Sequence, residues 1–230
     1  MAAKYEYDLV VIGGGSGGSA TARRAAQYGK KVLIVDRGVT YDGVVRHGAG
    51  AGGTRLNAGC VPKKLMFAAG TLLDDLRGRS ARCAGFGIEV GDVGFDWARL
   101  KAARDAYVER ARANYVRNYV RNWGREGIDY ASGYGRLRDG HTVEVDLLEA
   151  PGQARRSSVT VEGRMLPETR TYAAAKVVLA PGGAPRFPAI PGAELCVSSE
   201  NFFDLADQPK RAAVIGAGYV SVIAGSPGRG

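Results

Sequence analysis

The segment Tyr7-Asp-Leu-Val-Val-Ile-Gly-Gly-Gly-Ser-Gly-Gly18 decides the fold, because a short apolar run leads directly into a cluster of glycines. An alanine-rich stretch then continues to Tyr28, and a second apolar run, Lys31–Val35, is followed by an acid, Asp36. Short apolar runs of this kind predict buried strands, and the alanine-rich stretch between them predicts a helix. The order strand, glycine turn, helix, strand and acid is typical of a dinucleotide-binding βαβ unit.

Three of these glycines, Gly13, Gly15 and Gly18, have the spacing G-x-G-x-x-G. Gly13 permits the tight turn, Gly15 lets a pyrophosphate approach the backbone, and Gly18 allows the helix to pack closely on the strand. The helix N-terminus then faces the phosphates, and Asp36 can accept a hydrogen bond from a ribose hydroxyl. We therefore predict a dinucleotide site here. The alternative is a glycine-rich turn that holds no ligand.

A second segment, Gly52-Gly-Thr-Arg-Leu-Asn-Ala-Gly-Cys-Val-Pro-Lys-Lys64, places a cysteine where a loop enters a helix. Apolar residues at helical spacing predict that helix from about Pro62 to Arg77. Cys60 would lie at its N-terminus, which carries partial positive charge, and Lys63 and Lys64 follow within one turn. Both effects favour the thiolate. A buried, unreactive cysteine is the alternative, and the pattern leaves both interpretations open.

The rest of the chain continues to alternate helix and strand. A long helical pattern runs from Phe95 to about Trp123, and Tyr107 and Tyr115 fall on nearly the same face of it. Taken alone, such tyrosines indicate core packing. Near the end, the run Arg211–Ile215 and the glycines of Gly216-Ala-Gly218 predict a second, short strand–glycine–helix unit. Further strands are predicted at Ile128–Gly135, Thr142–Leu148 and Thr171–Leu179, and an irregular stretch at Arg79–Gly94.

Composition is ordinary for a globular protein, with 230 residues, 45% apolar and 24% charged. The net charge of +9 is spread along helical stretches without a basic block, so we predict no nucleic-acid partner. Three cysteines fit a reducing compartment better than a disulfide scaffold. We also predict no metal site, no membrane segment and no leader in the first residues, hence a cytoplasmic protein.

The cysteine segment resembles the redox-active segment of glutathione reductase and its relatives, the flavin-dependent disulfide oxidoreductases. The resemblance extends to Ala22-Arg-Arg-Ala25, to Arg104-Asp-Ala-Tyr-Val108 and to the turn Ala180-Pro-Gly-Gly183. It implies an α/β fold with a Rossmann-type FAD-binding domain over residues 1–186 and the start of a Rossmann-type NADPH domain over 187–230. It also implies FAD and NADPH as cofactors, glutathione disulfide as substrate, and a homodimer in the full-length family.

The same resemblance assigns roles to individual residues. It implies that Cys60 is the thiol facing the flavin and that Lys63 assists it. The cofactor contacts that it implies are Gly13, Gly15, Ser16, Gly17, Gly18, Asp36, Gly53, Thr54, Lys63, Gly135, Gly182, Gly216 and Gly218. The substrate contacts that it implies are Ser16, Arg23, Tyr107 and Tyr115.

Two positions depart from the family pattern. Arg55 stands where the resemblance places the first of two redox cysteines, and Pro181 replaces a threonine beneath the flavin. The resemblance further implies that most of the NADPH domain and the interface domain lie outside this chain, so Val214, Ile215 and Val220 are expected to be poorly covered. We therefore expect impaired reduction of glutathione disulfide. A non-catalytic FAD-binding module or the product of a faulty gene model is the alternative, and a flavin monooxygenase would not explain the cysteine segment.

Overall fold

A computed structural model describes residues 5–37, 40–41, 44–45, 52–83, 86–87, 91–147, 159–161, 164–166 and 168–221. The chain divides into two compact units. Unit 1 comprises residues 1–57 and 111–184, and unit 2 comprises residues 58–110 and 185–230. The predicted FAD-binding domain, 1–186, contains all of unit 1 together with part of unit 2, and its boundary stays a prediction.

The helices and strands follow the order expected for an α/β chain. They are β1 (Tyr7–Ile12), α1 (Ser16–Gln27), β2 (Val32–Asp36), β3 (Thr40–Tyr41), β4 (Val44–Val45), α2 (Gly53–Asn57), α3 (Cys60–Cys83), α4 (Trp97–Arg125), β5 (Ile128–Leu137), β6 (Thr142–Leu147), β7 (Val159–Val161), β8 (Arg164–Leu166) and β9 (Thr169–Leu179). The first and second strands lie within a residue of their predicted bounds, whereas the first helix ends one residue before Tyr28 and begins already at Ser16, inside the glycine segment.

Unit 1 is built on a parallel sheet with the order β9-β1-β2-β5. Two of its strands are long and leave the parallel sheet part of the way along. The second half of β5 and the first half of β9 both pair antiparallel with β6, and this closes a five-stranded barrel. The result is the predicted α/β architecture, in which a parallel Rossmann-type sheet is extended by antiparallel pairing.

The apolar strands of unit 1 are buried on both faces. Along β1 and β2, Val10 and Leu33 belong to a cluster inside the barrel, whereas Val11 and Ile34 belong to a second cluster on the other face. Ala22 of α1 joins that second cluster, so the helix covers the outer face of the sheet. Burial on both faces explains why these strands are nearly continuous apolar runs rather than alternating ones. Because β1 and β2 pair in parallel, their carboxyl ends also lie side by side.

The two long helices differ from their predicted bounds at their ends. The helix α3 continues to Cys83, so the prediction of irregular structure was wrong for Arg79–Cys83. Gly78 weakens a helix but does not end it, and the arginines and alanine that follow are good helix formers. The helix α4 begins at Trp97 because the Asp96 carboxylate accepts a hydrogen bond from the Arg99 N–H, at 2.9 Å, as a helix cap.

The end of unit 2 contradicts one prediction and confirms another. Residues Arg211–Ile215 form no strand, so the strand predicted before the glycines at 216 and 218 is wrong. Val214 and Ile215 are 49% and 60% exposed, and none of the strands that the structure describes pairs with them, so the described residues supply no hydrogen-bonding partner for a strand here. Val220 is also exposed, which confirms the expected poor cover. Of the helices that the structure describes, none combines the length and the apolarity needed to cross a membrane.

Candidate functional site

The glycine turn between β1 and α1 requires glycine for steric reasons. Gly13 has φ = 112° and donates its N–H to the carbonyl oxygen of Val35 at 2.7 Å. A Cβ at Gly13 would lie 2.0 Å from the carbonyl oxygen of Ala180, and a Cβ at Gly18 would lie 1.8 Å from that of Gly13. The turn is therefore packed against the end of β9, and α1 approaches the strand as closely as the motif predicts.

The opposite side of this turn has room for a ligand. Gly15 is the N-cap of α1, and no acidic residue occupies the first turn of that helix. Ser16 and Gly17 are exposed, and a Cβ at Gly17 would meet nothing within 4 Å. A helix N-terminus that presents backbone N–H groups beside unoccupied space suits an anionic group such as a diphosphate.

Asp36 ends β2 beside the same turn. Its carboxylate is buried and accepts a hydrogen bond from the Gly14 N–H at 2.6 Å. Its charge also acts on Tyr130 of β5. Burial is the main cause that raises the pKa of the Tyr130 hydroxyl, and the charge of Asp36 and the neighbouring Tyr115 add to it. The structure therefore places a carboxylate where the motif predicts a ribose-binding acid.

A second glycine turn lies next to the first. Gly53 has φ = 62°, and an ideal Cβ at Gly15 would be 3.6 Å from the Gly53 Cα, so the two backbones are close neighbours. Thr54 follows on α2 with an exposed side chain. The buried side chain of Asn57 donates to the Gly53 carbonyl oxygen at 3.0 Å and accepts from the Arg112 Nε at 2.8 Å.

Two hydroxyl groups contact the carbonyl side of the first turn. The Ser19 Oγ lies 3.0 Å from the Gly14 carbonyl oxygen and 2.7 Å from that of Gly15. The Tyr115 hydroxyl lies 2.6 Å from the Ser19 Oγ and 3.3 Å from the Gly14 carbonyl oxygen. Tyr115 is partly buried against the cluster on the helix-covered face of the sheet.

Sequence reasoning did not single out Ser19, Asn57 or Arg112. None of them belongs to the glycine motif, and their contacts join positions as far apart in the chain as Asn57 and Arg112. No local pattern signals such a contact, because it depends on where α4 packs.

Three other predicted site residues of unit 1, Arg23, Gly135 and Gly182, lie outside the two glycine turns, which together with Asp36 form the candidate ligand cradle. Arg23 is two helical turns beyond the glycine turn, and its Nε is 3.4 Å from the Glu126 Oε2. Gly135 lies inside the sheet, where a Cβ would be 3.1 Å from a methyl group of Val35. Gly182 is exposed with φ = 76°, beyond the end of β9.

Unit 2 holds the remaining predicted site residues. Cys60 is the first residue of α3, and its side chain is exposed, so the interpretation of it as a buried cysteine is wrong. The Lys63 N–H donates to the Gly59 carbonyl oxygen at 3.0 Å within the first turn of that helix. Tyr107 on α4 is exposed, and so are Gly216 and Gly218. Their proposed roles stay predictions.

The cradle of unit 1 fits the dinucleotide part of a flavin cofactor. Gly13 and Gly18 let the first turn pack tightly on the neighbouring backbone, the space beside Gly17 is open, and the N-terminus of α1 supplies positive potential. The buried carboxylate of Asp36 adds an acceptor at the neighbouring strand end. The arrangement lies at the carboxyl ends of parallel strands, which is where ligands bind in open α/β sheets.

Comparison with known proteins gives the same class. The chain is 40% identical over 226 residues to glutathione reductase of Yarrowia lipolytica, an alignment that covers 96% of this chain and 42% of that protein. It is 37% identical over 218 residues to glutathione reductase of Schizosaccharomyces pombe, covering 94% of this chain and 40% of that protein. It is 35% identical over 228 residues to thioredoxin reductase SEP1 of Emiliania huxleyi, covering 96% and 39%.

The chain thus spans about two fifths of the length of these curated relatives. Residues 7–226 match the family model described as pyridine nucleotide-disulphide oxidoreductase. FAD and NADPH are the cofactors that this match and the relatives imply. The fold, the glycine cradle and these similarities together show that the chain belongs to the pyridine nucleotide-disulphide oxidoreductase family.

Proposed function

We propose that this chain supplies the FAD-binding part of an enzyme that reduces glutathione disulfide with NADPH, and that Arg55 impairs the reaction. The observation that carries the proposal is the cradle in which Gly15 and Gly53 meet beside the buried carboxylate of Asp36. Two of the relatives bear the name glutathione reductase, which supports this substrate. The relative named thioredoxin reductase makes a protein disulfide the competing substrate.

The residues of unit 1 would bind the cofactor without contributing to electron transfer. The N–H groups of the first glycine turn and of α1 would hold the diphosphate, and Asp36 would accept a hydrogen bond from a ribose hydroxyl. When bound, FAD supplies the electron pair that NADPH delivers and that reduces a disulfide. The exposed Cys60 would be the sulfur that exchanges with the substrate.

Arg55 limits what Cys60 can do. The thiolate of Cys60 can attack one sulfur of glutathione disulfide, which breaks the S–S bond, releases one glutathione thiolate and leaves a mixed disulfide on the protein. A second thiol must then attack the Cys60 sulfur to release the other glutathione. Arg55 occupies the position that the resemblance gives to that thiol, and a guanidinium group cannot undergo thiol exchange. We therefore propose that the chain stops at the mixed disulfide.

A non-catalytic FAD-binding module is the second candidate. The exposed Arg55 side chain on α2 favours it, because an arginine replaces a thiol while the cofactor cradle is retained. Both candidates place the division between a FAD-binding domain and the start of an NADPH domain near residue 186. The positive φ of Gly216, 121°, supports a further glycine turn at the start of that NADPH domain. We also propose a homodimer of the longer enzyme and a cytoplasmic, reducing location.

The experiment combines cofactor content with thiol chemistry. The purified chain is expected to carry FAD, seen as flavin absorbance, and to form a Cys60 mixed disulfide with glutathione disulfide, seen as an increase in mass. The variant Arg55→Cys is expected to form an intrachain disulfide with Cys60 instead, and the matched control Arg55→Ser is not. Folded protein that binds no FAD would contradict both candidates. FAD binding without any mixed disulfide at Cys60 would leave the non-catalytic module.

A further inference from the structure

The helix α4 contacts both glycine turns of the cradle from one face. Arg112 and Tyr115 are three residues apart, a spacing that places side chains on the same side of a helix. Arg112 reaches the second turn through Asn57, and Tyr115 reaches the first turn directly and through Ser19. We propose that α4 orients the diphosphate-binding peptides of the cradle through these two side chains, and that Tyr115 is a positioning residue for the cofactor. The proposal rests on the binding of FAD by this cradle.

The argument for Tyr115 follows from the planarity of the peptide group. The carbonyl oxygen of Gly14 and the N–H of Gly15 belong to one trans peptide, so they point in opposite directions. The hydroxyls of Ser19 and Tyr115 are joined by a hydrogen bond at 2.6 Å and lie 3.0 and 3.3 Å from that carbonyl oxygen, so the pair can donate one hydrogen bond that holds it on the α4 side. The Gly15 N–H is thereby directed away from α4. Glycine is otherwise the residue that least restricts its own backbone, so this orientation needs an external constraint.

The same reasoning applies to the second turn. The Gly53 carbonyl oxygen accepts the side-chain N–H of Asn57 at 3.0 Å, so the N–H of Thr54 points the other way. Asn57 can donate to this carbonyl only while its amide is held in one orientation. The Arg112 Nε fixes that orientation because it donates to the Asn57 Oδ1 at 2.8 Å. Asn57 is buried, so a misplaced amide would leave polar groups without partners.

The two oriented peptides are neighbours, since the Gly15 and Gly53 backbones approach within contact distance. A diphosphate presents several acceptor oxygens at once, and it is bound best by donors that already point at it. Preorganised donors raise affinity because binding no longer has to order them. A loss of one orienting hydrogen bond should therefore weaken FAD binding by about fivefold and leave the fold largely intact.

The test uses apoprotein titrated with FAD and followed by flavin fluorescence. Tyr115→Phe removes only the hydroxyl and is expected to raise the Kd for FAD about fivefold. Tyr28→Phe, which removes a hydroxyl from an exposed side chain, is the matched control and is expected to keep the wild-type Kd. Amide hydrogen exchange gives a second readout, because bound FAD should protect the N–H that points at the diphosphate; Tyr115→Phe is expected to reduce this protection at Gly15 and to change nothing elsewhere.

A second pair of variants tests the Arg112 branch. Asn57→Asp retains an acceptor for Arg112 but loses the donor to the Gly53 carbonyl, and Arg112→Met keeps a side chain of similar length without a donor. Both are expected to raise the Kd for FAD and to reduce the protection from exchange that bound FAD gives the Thr54 N–H. Adding Tyr115→Phe to Arg112→Met should weaken binding by less than the product of the two single effects, because the two donors serve one ligand.

Three results would overturn the proposal. If Tyr115→Phe leaves the Kd for FAD unchanged but weakens the binding of glutathione disulfide, Tyr115 is a substrate contact. If hydrogen exchange rises throughout the apoprotein, rather than only at Gly15 or Thr54 in the complex with FAD, the side chains stabilise the fold and do not orient the turns. If all variants bind FAD as the wild type does, α4 has no positioning role. By contrast, a wild-type chain that binds no FAD would refute the proposed function itself.

Discussion

The chain carries two glycine turns of similar sequence, and their surroundings are opposite. Gly13 and Gly216 each follow an apolar run, and they have similar backbone angles, with φ of 112° and 121°. The run before Gly13 is the central strand β1, where Val10 and Val11 are fully buried between β2 and β9. In the run before Gly216, Val214 and Ile215 are about half exposed, and no described strand pairs with them.

This difference separates what a glycine motif encodes from what the tertiary structure adds. The positive φ of the first glycine is a local property, because only glycine adopts it without strain. A strand is not local, since its backbone N–H and C=O groups need partners on neighbouring strands. The first turn becomes a ligand cradle because β2, β9 and α4 surround it. In the described part of the chain, the turn at Gly216 has the backbone angle but no strand or helix packed around it.

The two turns are expected to differ most in their response to one added methyl group. Gly13→Ala combines a positive φ with a Cβ only 2.0 Å from the carbonyl oxygen of Ala180, a backbone atom that cannot rotate away. We expect a loss of about 3–5 kcal/mol in the free energy of unfolding, with loss of FAD binding. Denaturant unfolding of the apoprotein and FAD titration measure both quantities.

The matched variant is Gly216→Ala. Its Cβ would meet only the Ser221 hydroxyl, at 3.1 Å, and that side chain can rotate. The expected cost is about 1–2 kcal/mol, which is the cost of the backbone angle alone. Equal losses of unfolding free energy in the two variants would show that the turn at Gly216 is as tightly packed as the turn at Gly13. The contrast between the two turns would then be wrong.

A smaller effect is expected from the apolar residues before each turn. Val11→Ala removes two methyl groups from a fully buried position and is expected to cost about 2 kcal/mol in the free energy of unfolding. Val214→Ala removes the same groups from a side chain that is 49% exposed, so less than about 0.5 kcal/mol is expected. Thermal and denaturant unfolding of the two variants compare them. A cost for Val214→Ala close to that of Val11→Ala would mean that the Val214 side chain is buried in solution.

The parts of the fold that sequence could predict are those with local determinants. The strand Tyr7–Ile12 was predicted with its observed bounds, and the helix that follows was predicted with its C-terminal end to within a residue, because the apolar run and the glycine spacing mark them. The barrel closure was not predicted. It depends on β5 and β9 each pairing with two different neighbours along their length, and no local pattern distinguishes the two halves of such a strand. The wrong strand at Arg211–Ile215 has the same cause, since an apolar run predicts a strand but no described strand pairs with these residues.

The site divides in the same way. Gly13, Gly18 and Asp36 could be predicted because the motif constrains their spacing, and the structure places them around one cradle. The side chains that orient the cradle, Asn57 and Arg112, could not, because their partners come from a helix far along the chain. Resemblance to the family suggested Tyr115 as a substrate contact, whereas the structure places its hydroxyl against the first glycine turn.

The last effect is confined to high pH and concerns Tyr130, which lies near Asp36 and therefore near the Gly13 turn only. Burial, and secondarily the charge of Asp36, raise the pKa of its hydroxyl above the usual value near 10. The folded state then holds this proton more tightly than the unfolded state, so the stabilisation is complete below about pH 10 and is lost as pH rises toward the folded pKa. At pH 11 the loss should be about 1 kcal/mol. Tyr130→Phe should reduce the fall in unfolding free energy between pH 9 and pH 11 by about that amount, measured by denaturant unfolding. Tyr219→Phe, close to Gly216 and exposed, is the control for removing a hydroxyl. If the unfolding free energies of Tyr130→Phe and the wild type change with pH in parallel, the fold does not hold Tyr130 neutral.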